Sequence, residues 1–244
     1  MKFTYDSYIN MINMLKKHNY TICNYDNYKQ YDKCAILRHD VDESLDYAYK
    51  LARLEYEINI NSTYYIFISS DLYNIFSKKS NRIIKEIESM GHKIGLHFDE
   101  VKYQINNEEE LKKYVKKEAS IMSTELNIDI NSVSMHRPSK WVFEGDIKIE
   151  GLINSYSKEF IQEFKYVSDS RLNWRENITE IISSNDYKRL HILTHAFGYK
   201  DLELNPKDIY LQFLRDKKEE IYEVLDENTK KLDEFINKDD FLRS

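Results

Sequence analysis

Residues 35–44 read Ala-Ile-Leu-Arg-His-Asp-Val-Asp-Glu-Ser. An apolar run of strand length stops in charges, and Ser44 then stands where a helix N-cap belongs. Leu45, Ala48, Leu51 and Ala52 follow on one helical face. A buried strand feeding a helix is half of a βαβ unit, and the pattern recurs. Residues 62–68 (STYYIFI) are β-branched and aromatic, residues 80–90 carry helical periodicity stopped by Gly91, and residues 92–98 (HKIGLHF) make a third strand. A long charged helix is expected over 108–126. Further strands are expected at 132–136, 165–169 and 189–195, and a final helix opens with Pro206 at its first position. Upstream, Tyr8, Ile9, Ile12 and Leu15 have helical spacing over 6–18. Strands separated by helices pair in parallel through right-handed crossovers. Six or seven units predict an incompletely closed parallel α/β barrel, with an open doubly wound sheet as the competing architecture. One domain over residues 1–244 is the simplest partition.

Composition excludes several functions. Thirty-six basic against 42 acidic residues give a net charge of −6. A nucleic-acid binder needs a basic stripe to displace counterions, and a polybasic grip on anionic lipid needs the same surplus. No stretch approaches the roughly 20 apolar residues of a membrane helix. The first 20 residues interrupt every apolar run with Asp6, Asn10 or Asn13, so they lack a signal-peptide core and a cytoplasmic location is expected. Cys23 and Cys34 are too few for a disulfide framework and are read as reduced. With 41% hydrophobic residues, the chain can bury a sizeable core.

Polar residues collect at the carboxyl ends of the expected strands, where α/β proteins place ligands. On the first, Asp40 and Asp42 share a face and His39 points away. Two carboxylates so close repel unless a cation or a raised pKa neutralises one of them. The plain alternative makes Asp42 a helix cap. His97 and Asp99 share a face on the third strand, and His92 faces the other way. The next strand ends His136-Arg137-Pro138, and the last ends Leu193-Thr194-His195. Between them, Asp169 and Trp174 offer an acid and an aromatic wall, or simply an Asx turn beside a core tryptophan. His191 and His18 are read as structural. No G-x-S-x-G elbow, Walker A loop or G-x-G-x-x-G is present, which removes the serine-hydrolase and nucleotide-fold readings.

These five strand-end motifs, in this order over residues 35–199, resemble the polysaccharide deacetylase family (carbohydrate esterase family 4). The Arg-His-Asp-x-Asp form is similar to a subgroup linked to surface-glycan synthesis. The resemblance implies a distorted (β/α)7 barrel and an N-deacetylase. It makes Asp40 the catalytic base and Asp42 and His97 metal ligands. Arg137 would orient the base, and Asp169 would support the general acid His195. Trp174 and Trp141 are assigned to the sugar. The family's second metal histidine falls on Val101. With two ligands the metal would be short of the usual three protein donors. His136 is the first replacement by its strand-end position and Asp99 the second; the remaining option is a chain without metal.

The expected cofactor is a divalent metal, zinc foremost, and the expected substrate is an N-acetylated or N-formylated sugar or glycan precursor. A metal-free hydrolase opening a cyclic amide or ureide is one rival, and a non-catalytic glycan-binding barrel is another. Oligomeric state is not readable from the sequence.

Overall fold

The computed structural model describes residues 1–238 and 241. Strand β2, Cys34–Val41, follows a short strand β1, Thr21–Cys23, and every residue of β2 is buried. The two-residue period of β2 sorts its side chains. Ala35, Leu37 and Val41 join the large apolar layer beneath the helices, whereas Cys34 and Ile36 join a smaller cluster with Tyr25, Tyr28, Tyr65, Phe160 and Phe164. Arg38 and Asp40 continue that inner face toward the carboxyl end of the strand.

Helix α1 (Tyr5–Lys17) precedes β1, and α2 (Leu45–Glu57) follows β2. The Ser44 hydroxyl caps α2 by accepting from the Tyr47 N–H. The alternation continues through β3 (Thr63–Phe67), α3 (Lys78–Ser89), β4 (Lys93–Phe98), α4 (Glu108–Leu126) and β5 (Ser132–Met135). Next come the short α5 (Lys140–Glu144), β6 (Ile153–Asn154), β7 (Lys165–Ser168), α6 (Ile178–Ser184) and β8 (Arg189–Thr194). Gly91 follows α3 at φ +92°, the left-handed position that favours glycine.

All strand pairs are parallel, in the order β6-β5-β4-β3-β2-β8-β7. β1 pairs with the first residues of β2, Cys34 to Ile36, and β3 takes over from Arg38 onward. The end strands β6 and β7 are not hydrogen-bonded to each other, so the curled sheet remains open at that seam. This is the expected distorted parallel barrel. Every strand runs the same way, so all the carboxyl ends meet at one rim.

The chain falls into two compact units, Met1–Asp201 and Leu202–Ser244. The second holds helix α7, Pro206–Asn228, with Pro206 in its first turn and Asn205 capping it through the Asp208 N–H. No helix among the described residues is long and apolar enough to cross a membrane.

Candidate active site

Asp40, at the rim end of β2, is held by a guanidinium two residues earlier on the same face. Arg38 Nη2 donates to Asp40 Oδ2 at 2.9 Å, and Ser134 Oγ from β5 donates to the same oxygen at 3.2 Å. Arg38 is fully buried. Its Nη1 donates to Ser155 Oγ at 2.7 Å, and its guanidinium lies 4.7 Å from the Tyr156 ring centroid. Burial opposes its charge, but the Asp40 carboxylate raises its pKa well above the ordinary value. Asp40 Oδ1 is buried with no partner among the described residues.

The structure pairs Asp40 with Arg38, not with the expected tether Arg137. Arg137 is exposed, in a left-handed backbone conformation at φ +46°, and no hydrogen bond or ion pair joins it to Asp40. The strand period carries the missed signal, because residues 38 and 40 must share a face.

Beside Asp40, the carboxylate of Asp42 and the imidazoles of His97 and His136 converge, with one ligand atom of each within 4.8 Å of the others. Asp42 Oδ1 lies 3.0 Å from His97 Nε2 and 3.5 Å from His136 Nδ1, and the two ring nitrogens are 3.2 Å apart. His97 Nδ1 faces the Ser134 carbonyl at 3.2 Å, which places the ring proton there and leaves Nε2 as a lone pair. His97 Nε2, His136 Nδ1 and the Asp42 carboxylate then face one point, and Asp42 Oδ1 has no hydrogen-bond partner among the described residues. Such an arrangement calls for a positive charge between the atoms. Protons on the imidazoles would supply the same charge. Burial alone would lower the pKa of His97, yet Asp40 and Asp42 raise it. Burial likewise works against the Asp42 anion, while His136 and His97 hold its carboxyl well below the usual range. Tetrahedral coordination at about 2.0–2.1 Å separates ligand atoms by about 3.4 Å, close to the spacings here. The donor set therefore fits a zinc-type ion.

Val101 is 80% exposed, and Asp99 accepts the Val101 N–H at 3.0 Å as the cap of a 3-10 turn, Glu100–Lys102. It is His136, not Asp99, that stands in the cluster. His39 points to the opposite side of β2, where it meets Thr194 Oγ1 at 2.6 Å and Glu55 at 3.0 Å. His191 lies deep in the barrel against the Tyr25 hydroxyl at 2.6 Å and the Phe160 carbonyl.

Across the rim, Asp169 follows β7 and His195 follows β8. Asp169 Oδ1 lies 2.7 Å from His195 Nδ1, and both its oxygens accept the His195 N–H. Burial would lower the pKa of His195, but Asp169 raises it to about 10. Its Nε2 lies 3.8 Å from Asp42 Oδ2, which ties the last strand to the first. Glu43 adds a carboxyl that the sequence did not single out. Burial and the Asp42 charge push its pKa up to about 7.

Trp174, half-buried in the loop after β7, packs on the core, and its indole N–H has no partner among the described residues. Trp141, 42% exposed on α5, stands on the loop after β5.

No known protein-family profile matches the sequence, and no curated protein is similar to it. Solved structures are similar at low identity. A Streptococcus mutans CE4 esterase has 12% identity and a TM-score of 0.48, over 79% of this chain and 84% of that one. The Streptococcus pyogenes deacetylase PplD, solved with acetate, has 11% and 0.44 over 86% of each chain. BA3943, a CE4 family pseudoenzyme from Bacillus anthracis, has 12% and 0.42 over 78% of this chain. This chain spans less than two thirds of BA3943, 62% of its length.

Proposed function

We propose that this chain is a metal-dependent hydrolase that removes an N-acetyl or N-formyl group from a sugar or glycan precursor, in the service of surface-polysaccharide synthesis. One observation carries the reading: a trio that could hold a cation (Asp42, His97, His136), an oriented carboxylate (Asp40) and an imidazole paired with a buried carboxylate (His195 with Asp169) share one barrel rim. Amide hydrolysis needs those three functions together, and a binding module needs none of them in that combination. The five motifs that resemble the deacetylase family support the same assignment.

Asp42, His97 and His136 would hold the divalent ion, zinc by donor type. When bound, such an ion supplies a Lewis acid that polarises a carbonyl and lowers the pKa of water from about 15.7 toward about 7. Asp40 is the base. Arg38 and Ser134 occupy its Oδ2, which leaves the unpartnered Oδ1 as the oxygen to accept a proton from water. His195 is the acid. Asp169 fixes Nδ1 and keeps the ring cationic, which leaves the Nε2 proton for the departing nitrogen. Amines are poor leaving groups, and this proton makes departure feasible. Trp174 and Trp141 would supply apolar walls for the sugar ring.

The test is elemental analysis of the purified protein together with acetate release from a panel of N-acetylated sugars. One divalent ion per chain and chelator-sensitive release are expected. Sugar binding without any release would assign the barrel to glycan binding instead. Chelator-insensitive opening of a cyclic amide, with no ion bound, would favour the metal-free hydrolase.

A further inference from the structure

We propose that Glu100 is the positioning residue that builds His136 into the rim cluster; this rests on the metal-site reading above. His136 lies one residue beyond β5, and its N–H donates to the Phe98 carbonyl of β4 at 2.7 Å. The chain then reverses sharply, with Arg137 at φ +46°. A left-handed conformation is unfavourable for a non-glycine residue, so it persists only where the surroundings impose it.

Glu100 imposes it. Its carboxylate accepts both the N–H of Ser139 and, at 3.1 Å, the Ser139 hydroxyl, a charge-assisted pair that closes the turn from across the neighbouring loop. Glu100 is itself anchored. It opens the 3-10 turn that Asp99 caps, and just beyond it Lys102 Nζ and Tyr103 Oη donate at 2.6 and 2.8 Å to Glu118, a buried carboxylate on α4. The β4 loop thus carries no ligand at Val101. It serves to hold a ligand that the next strand supplies. Loss of the clamp releases Arg137 to a relaxed backbone and swings His136 away from Asp42 and His97.

The experiment titrates the metal-free full-length chain with Co²⁺, and with Zn²⁺ in competition. Glu100→Ala is expected to weaken binding of both ions about 10- to 100-fold, the usual size for a group that supports a ligand from behind. Glu100→Gln is expected to rescue affinity to within about threefold, because its amide oxygen accepts the Ser139 N–H and its amide nitrogen donates to Ser139 Oγ. A general loss of packing would not be rescued in this way. Should Glu100→Ala fail to fold, Ser139→Pro carries the same test. Ser139 has φ −61°, the value proline imposes, and the change removes both donors while leaving Glu100 in place. Wild-type affinity in Glu100→Ala, or in Ser139→Pro, would overturn the proposal. If the wild-type chain takes up neither ion, the metal reading fails first and the clamp fails with it.

Discussion

Asp40 and Asp42 stand two residues apart on one strand face, yet their neighbours differ. Asp42 is flanked by imidazoles and Asp40 by a buried guanidinium. Asp40→Asn is therefore expected to abolish hydrolysis while metal content stays at the wild-type value; full activity would remove the base assignment. Replacing one partner of a buried ion pair leaves the other uncompensated, at a cost of about 3–5 kcal/mol. Arg38→Met should accordingly lower the unfolding midpoint sharply and disable Asp40. Arg137→Ala, changing an exposed side chain with no pairing to Asp40, should leave stability within about 0.5 kcal/mol. Equal stability losses in the two variants, measured by denaturant unfolding, would refute the assignment of the tether to Arg38. Removing the proton donor in His195→Ala should cost about 10²–10⁴ in rate, and a normal rate would eliminate that residue as the acid.

Elements are locked together behind the site by a second carboxylate. Glu55 on α2 is fully buried and accepts from Tyr8 on α1, from Tyr64 at 2.7 Å and Ser62 at 2.6 Å at β3, and lies 3.0 Å from His39 on β2. Burial would raise its pKa, but His39 and the donors lower it to about 2 from an ordinary 4.5. The folded state thus binds the Glu55 proton less readily than the unfolded state does. This contribution is fully present above pH 4.5 and fades as pH falls from there toward 2. His92 acts in the same direction at higher pH, because burial lowers its pKa and disfavours protonation in the fold. The expected outcome is a stability loss on the order of 3 kcal/mol across the acidic range, much of it absent in Glu55→Gln. Parallel pH dependences for the two proteins would contradict the account. The elements themselves were largely legible, because β2, β3, β4 and β8 are apolar runs between helical periodicities. β1 and β6, with three and two residues, are too short to carry any period.

At the scale of the molecule, parallel strand direction turns distant motifs into one rim. That convergence could be read in advance, because Asp40, Asp42, His97, His136, Asp169 and His195 all fall at strand carboxyl ends. The Arg38–Asp40 pair could not be read from the resemblance, because a guanidinium reaches Asp40 along its own strand as well as from a neighbouring loop. His136 rather than Asp99 lies in the cluster with Asp42 and His97, because the fold uses the Asp99 carboxylate to cap a turn. Anomalous diffraction from crystals of the zinc-loaded protein tests the central claim most directly. One zinc peak ligated by Asp42, His97 and His136, with Asp40 and His195 at its margin, is the predicted result. A fully zinc-soaked crystal with no peak among those three side chains would contradict it.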